Sequence, residues 1–387
     1  MKILIFSTAY LPLQGGAEIA VKEITDRIPE REFDLVCPKI KPQFKNYERI
    51  SNVNVWRVGH GWGKIDKLLF PWAGARMASK LHRAKRFNVI WAIMASFGGL
   101  AALRFKKKFP LTPLILTLQE GDTPEHIRSR ARWLGPYYRQ MFSWADYITA
   151  ISRYLKEYAI LQGAKCEVEV VPNGVDIQKF QKEKHKAQNA DEAQKINFKK
   201  ALGIKEDEKI IITISRLVEK NGIGDLIEAL NCWQSMVGVP SAKLIIIGAG
   251  PLEKKLKTKV DSLKLNNQVI FLGDVSHSET PKYLAIADVF VRPSLAEGLG
   301  NAFLEAMAAG VPVIGTPVGG IPDFLQDGET GLFCEVKNPG SVAEKINLIL
   351  SDPALREKII KNASDLIEKK YRWDLIAKKM GAIFSRL

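Results

Sequence analysis

The chain is poor in cysteine, has no long apolar run and is short of acidic side chains. Its 387 residues hold four cysteines, Cys37, Cys166, Cys232 and Cys334, far apart. No Cys-x-x-Cys or mixed Cys/His spacing occurs, which argues against a zinc site. Scattered single cysteines fit a reducing compartment. The longest low-charge stretch, 89–103, is fifteen residues long and contains Ser96, Gly98 and Gly99. A bilayer span needs about 20 apolar residues. The stretch therefore reads as a buried strand, a glycine loop and the start of a helix. The N-terminal MKILIFSTAYLPLQGG reads as a first strand and its loop. It lacks the longer apolar core and small-residue cleavage site of a signal peptide. There are no internal repeats and no low-complexity tract. With 46% hydrophobic and 26% charged residues and a mean hydropathy of −0.07, the composition excludes a fibre, a wholly disordered chain and a polytopic membrane protein. The length suits two domains.

The acidic shortage is local. Lys and Arg number 57 against 42 Asp and Glu, a net +15. Residues 1–190 carry 31 basic and 17 acidic side chains, whereas 191–387 carry 26 and 25. Within 57–139 the counts are 16 and 4. A basic surface thus belongs to the first domain and asks for an anionic partner: nucleic acid, acidic lipid or a phosphorylated small molecule. No helix-turn-helix, zinc-finger or RRM pattern occurs, so no nucleic-acid partner is expected.

Short apolar runs alternate with helical patterns. Strands are expected at 2–7, 34–37, 53–58, 89–94, 114–118, 147–150 and 168–171, then at 210–215, 242–247, 269–272, 289–291 and 311–315. Helices fall between them, at 17–27, 153–161, 224–232, 251–263, 279–286 and 302–309. Near-continuously apolar strands are parallel strands covered on both faces. The fold class is therefore α/β, with two doubly wound, Rossmann-like domains facing a central cleft. The polar segment 181–195 reads as an exposed linker, giving domains 1–180 and 181–387. The tail 354–387 reads as helices. Ligands of such sheets bind beyond the carboxyl ends of the strands.

Three segments lie at such ends. Gly15 and Gly16 follow the first strand and precede a helix, which permits close approach of an anion, or forms a plain tight turn. The loop 215–222, SRLVEKNG, offers Arg216 as a planar fork and Lys220 as a point charge, both suited to a diphosphate. Its bland alternative is a solvated loop. In RPSLAEGLGNAFLEAMAAG, 292–310, Gly298 and Gly300 open a loop before an apolar helix. The amides of Gly300, Asn301 and Ala302 would project from that helix end as an anion site. Glu297 and Glu305, eight residues apart, could reach different parts of one ligand. Glu297 could instead be a helix-dipole charge and Glu305 an exposed helix residue. Glu305 sits among Phe303, Leu304, Ala306 and Met307, however, where a carboxylate is usually paired or bound.

The segment EGLGNAFLEAMAAGVPVIGTPVGGIPDFLQDGETGLF closely resembles the Glu-x7-Glu region of family 4 retaining glycosyltransferases of the GT-B fold. GGAE at 15–18, ADYITAIS at 145–152, VVPNGVD at 170–176, SRLVEKNGIGDLIEAL at 215–230, IIIGAGPLEKKL at 245–256 and FLGDV at 271–275 agree in the family's order. The resemblance implies transfer of a sugar from a nucleotide-diphosphate sugar to a glycan or lipid-linked acceptor, with retention. Arg216 and Lys220 match the pair that holds the donor diphosphate and stabilises charge on the leaving phosphate. Glu305 matches the residue that binds ribose hydroxyls, and Glu297 the one that contacts the donor sugar. Gly298, Gly300 and Asn301 supply the donor-side loop. Gly16 would approach from the first domain, and the stretch around Asp274 and Val275 would meet the nucleobase. The last helix, about 370–387, would pack back on the first domain. No cofactor and no metal are expected, and no Asp-x-Asp occurs. Where many members of the family place a His near the sugar, this chain has Gln119, followed by Glu120. Gln can hydrogen-bond a hydroxyl but cannot titrate. His126 is a nearby substitute, or a surface histidine.

Residues 64–87 mix Leu68, Leu69, Phe70, Trp72, Met77 and Leu81 with seven basic side chains. Such a segment suits an anionic membrane surface, or is a helix with a core face and a solvated basic face. The first reading implies a cytoplasmic enzyme, peripheral on the inner face of the plasma membrane. Two other functions share parts of these features: a sugar-nucleotide 2-epimerase, and a pseudoenzyme that only binds nucleotide.

Overall fold

A computed structural model describes every residue except 14, 123–126, 128, 130, 131, 133, 190 and 191; side chains are not described for 185, 187–189 and 192–196. His126 therefore lies outside the described residues. The chain forms two compact units, 1–174 with 373–387, and 175–372. The division falls before 180/181, and the last fifteen residues belong with the first unit rather than the second.

The first unit is built on eight strands: β1 (Lys2–Phe6), β2 (Glu32–Pro38), β3 (Tyr47–Ile50), β4 (Val53–Val58), β5 (Val89–Ile93), β6 (Leu114–Leu118), β7 (Tyr147–Ala150) and β8 (Val168–Val170). Their order is β3-β4-β2-β1-β5-β6-β7-β8. All neighbours are parallel except β3 on β4. Ile3, Leu4, Ile5 and Phe6 have no exposed surface, as a strand covered on both faces requires. The edge strand β3, YERI, carries no apolar run, and the sequence reading missed it for that reason. The helix Trp373–Arg386 adds Trp373, Ile376, Met380, Ile383 and Phe384 to the core formed by Ala20, Ile24 and Phe33. Residues 89–103 hold β5 and the start of the helix Phe97–Lys108, with Gly98 and Gly99 buried in its first turn rather than forming a loop.

The second unit has six parallel strands: β9 (Lys209–Ile214), β10 (Ala242–Ile247), β11 (Val269–Gly273), β12 (Val289–Arg292), β13 (Val313–Gly315) and β14 (Leu332–Phe333). Their order is β11-β10-β9-β12-β13-β14. Sequence direction reverses between β9 and β12, so these strands flank the switch point where such sheets bind ligands. The expected linker 181–195 is not a linker. Its described residues lie within the helices Ile177–Asn189 and Glu192–Ala201. The segment contains no glycine or proline and is rich in Gln, Lys, Glu and Ala, which are strong helix formers. Phe180 anchors it at 1% exposure, and Lys184 Nζ donates to Gly310 O at 2.8 Å.

The helix Lys64–Lys85 has a core side made of Phe70, Gly74, Ala78 and Leu81. Ile65, Leu68, Leu69 and Trp72 on it are exposed, as is Trp62 just before it. Among the described residues, no helix is long and apolar enough to cross a membrane.

Candidate active site

The turn after β9 and the loop after β12 are joined. Leu295 N donates to Lys220 O at 2.7 Å. Gly222, at φ +66°, places its Cα where a Cβ would lie 1.9 Å from Pro293 O. Only glycine permits both this conformation and this approach. Lys220 lies in the 3-10 turn Glu219–Asn221. Asn221, 4% exposed, donates from Nδ2 to Arg216 O at 2.7 Å and so shapes the turn from beneath. The Arg216 side chain is exposed and makes no hydrogen bond or ion pair among the described residues.

Across the switch point, Gly300 stands at φ +102° immediately before the helix Asn301–Ala308. The left-handed glycine turns the chain so that the first helical amides project from the helix end, where partial positive charge collects. Both glutamates of this segment are held. Glu297 Oε2 accepts from Arg292 Nη2 at 2.6 Å, and Oε1 accepts from Gly298 N at 3.1 Å. Arg292 is 5% exposed and lies over the Phe303 ring at 4.7 Å. Glu305 Oε1 lies 2.9 Å from His277 Nε2. His277 Nδ1 lies 3.1 Å from Lys179 Nζ, which also donates to His277 O at 2.8 Å. Thus Glu305 is paired, as its apolar surroundings required, and is not an exposed helix residue. Val275 is half-buried in the loop after β11, two positions before His277.

In the first unit, Gly16 opens the helix Gly16–Asp26 beyond β1. Burial raises the Glu18 carboxyl above its ordinary pKa, against the pull of the Glu18 and Gly15 amides and of Lys67. Gln119 follows β6 and accepts from Asn173 Nδ2 at 3.2 Å. Glu120 follows it in the same loop. It is 2% exposed, and its carboxylate accepts from the amides of Ala95 at 2.6 Å and Gln119 at 2.9 Å. It ties the loop after β5 to the loop after β6. Among the described residues, no group of three or more His, Cys, Asp or Glu is placed to hold a metal ion.

Three residues escaped the sequence reading. Arg292 ends β12, where a buried arginine implies a carboxylate partner. That signal was legible. Lys179 and His277 carried none, because 98 positions separate them from one another and 28 separate His277 from Glu305.

The chain matches two family descriptions: Glycosyltransferase Family 4 over residues 14–179, and Glycosyl transferases group 1 over residues 194–366. It is 30% identical to an uncharacterized glycosyltransferase of Methanocaldococcus jannaschii, over 99% of this chain and 98% of that one. It is 27% identical to an alpha-monoglucosyldiacylglycerol synthase of Acholeplasma laidlawii, over 99% and 96%. Among solved structures, Anabaena HepE in complex with UDP and glucose superposes with a TM-score of 0.79 at 21% identity, covering all of both chains. That identity speaks to the fold alone, which is the GT-B fold of two parallel-sheet units. Two joined loops at a sheet's switch point, with both glutamates of the Glu-x7-Glu segment held in place, accord with these likenesses: the chain belongs to the family 4 glycosyltransferases.

Proposed function

We propose that this glycosyltransferase moves a hexose from a nucleotide-diphosphate sugar to a lipid-linked acceptor, with retention, at an anionic membrane surface. The observation that carries the donor side is the clasp between the Arg216–Lys220 turn and the loop that presents Glu297, Gly298, Gly300 and Asn301. It joins the turn that carries Arg216 and Lys220 to the loop that carries Glu297 and leads into the helix Asn301–Ala308. In this reading Arg216 and Lys220 take the charge that grows on the leaving diphosphate. Glu297, held by Arg292, receives a hydroxyl of the sugar, and Glu305 receives the ribose. Val275 meets the base through its main chain. Gln119 donates to a hydroxyl and takes no proton. The bond from the anomeric carbon to the phosphate oxygen breaks, and the acceptor oxygen bonds to that carbon on the same face. The acceptor's proton passes to the departing phosphate. Protein cations fill the place of a metal ion, and no cofactor is needed.

The acceptor side rests on the first unit. Trp62, Ile65 and Trp72 are 60%, 52% and 54% exposed. Beside them, Arg76, Lys80, Arg83, Arg104 and Lys108 line one hollow. Apolar wedges next to clustered cations fit an anionic lipid surface, and the Acholeplasma relative is named for a glycolipid product. The enzyme would then work as a peripheral protein on the cytoplasmic face. The family relatives lend no support to an epimerase or to a non-catalytic nucleotide binder.

The test is incubation with UDP-, GDP- and ADP-hexoses and vesicles of anionic lipid containing diacylglycerol or polyprenyl phosphate. The expected result is transfer of one hexose to lipid, weakened by salt and unaffected by EDTA. Epimerised donor without transfer, or transfer that is indifferent to salt and vesicle charge, would contradict the proposal.

A further inference from the structure

The donor-side reading leaves one arrangement of the second unit unused. Lys179 comes from the helix Ile177–Asn189, His277 from the loop after β11, and Glu305 from the helix Asn301–Ala308. Their side chains form a line with contacts of 3.1 Å and 2.9 Å. The chemistry of the line fixes its direction. An ammonium has only hydrogens to offer, so His277 Nδ1 must accept. The remaining proton of the neutral ring then sits on Nε2, which donates to Glu305 Oε1. Lys179 is itself anchored, through its bond to His277 O at 2.8 Å.

The consequence falls on Glu305. Its Oε1 is engaged, while Oε2 accepts no hydrogen bond from the described residues. Its side chain keeps 14% of its surface. A carboxylate held by one oxygen favours the rotamer that keeps this bond, which leaves its second oxygen to meet a ligand. Fixing a recognition group before the ligand arrives removes an ordering cost from binding.

We propose that His277, oriented by Lys179, is a positioning residue that commits Glu305 to accept a ribose hydroxyl through Oε2. This rests on the reading of Glu305 as the ribose-binding carboxylate. The two claims are separable because a nucleotide without ribose hydroxyls gives Glu305 nothing to bind.

The experiment measures the affinity of the full chain for UDP, GDP and ADP and for their 2′,3′-dideoxy counterparts by calorimetry. It covers the native protein and the variants E305A, H277F, H277Q and K179M. Phenylalanine keeps the ring volume and its contact with Phe180, but it removes both ring nitrogens. The native protein should prefer the hydroxylated form of its nucleotide about tenfold, the worth of one charge-assisted hydrogen bond. E305A should lose that preference. H277F should lose most of it while binding the dideoxy form as the native protein does, which also shows that the fold is intact. H277Q, whose amide nitrogen can replace Nε2, should recover the preference to within about threefold. K179M should fall between the native protein and H277F. A native-like preference in H277F would overturn the positioning role and leave the Glu305 reading standing. No preference in the native protein, or full preference in E305A, would overturn the Glu305 reading itself.

Discussion

Arginine 292 offers a sharp test of how the site is built. In Arg292→Met the chain keeps an apolar stem but loses the guanidinium. The structure gives the terms. A charge-assisted hydrogen bond of 2.6 Å to Glu297 disappears, worth about 1.5–3 kcal/mol. The stacking on Phe303 at 4.7 Å also goes, worth about 1 kcal/mol. Glu297, whose side chain is 14% exposed, is left as a largely buried charge without its partner, and such losses reach about 3–5 kcal/mol. We expect about 3 kcal/mol for Arg292→Met and about 1 kcal/mol for Glu297→Gln, which still accepts from Arg292. The double variant leaves no stranded charge and should cost about 2 kcal/mol, well below the sum. Urea unfolding followed by circular dichroism reads the difference. The chain has two compact units, so the transition to follow is the one that Glu297→Gln shifts. Additive costs, or a loss under about 1 kcal/mol for Arg292→Met, would refute the claim that this pair holds the loop.

Other expectations follow from the same geometry. Arg216→Ala should lower transfer at least a hundredfold, the usual scale for removing a donor from a developing oxyanion. Its side chain is exposed, so the melting temperature should stay within about 2 °C of the native value; normal turnover would remove Arg216 from the mechanism. For Glu18, burial makes the folded pKa higher than the ordinary value of 4.5. A carboxyl shifted upward stabilises the fold fully below its unfolded pKa and loses that contribution as pH rises through the folded one. Glu18→Gln should therefore be more stable than the native protein at pH 7, with the advantage shrinking towards pH 4.5; an advantage that grows on acidification, in melting curves across that range, would contradict the assigned cause. Replacing Trp62 and Trp72 together by Ala should weaken flotation with anionic vesicles without affecting nucleotide binding. Unchanged flotation would remove that face from the membrane contact.

Much of the fold was legible because buried parallel strands announce themselves as apolar runs. Those of β1, β5, β9 and β10 needed no context. The edge strand β3 and the two-residue β14 were not legible, since neither has a continuous apolar run to bury. The segment 181–195 misled for a related reason. Its polarity suggested a linker, yet strong helix formers and one anchor, Phe180, go with helix in its described residues. Residues 64–87 presented a mixed case: Phe70 and Leu81 do form a core face, while Leu68, Leu69 and Trp72 face solvent. At the site, Arg216, Lys220, Glu297, Gly300 and Glu305 were visible because they fall in two short segments at strand ends. What holds them was hidden. Arg292 was in plain view without a role. Lys179 and His277 meet Glu305 only after three distant segments fold together. Glu120 was visible by its position after a strand, but its burial between two loops was not.

The central claim is transfer with retention from a nucleotide sugar. Proton NMR of the glycolipid formed from an α-linked donor tests it most directly, through the anomeric coupling of the transferred hexose. The account predicts an α-linked product from the native protein and none from Lys220→Ala or Glu297→Gln. A β-linked product would contradict retention, and undiminished product from both variants would contradict the site.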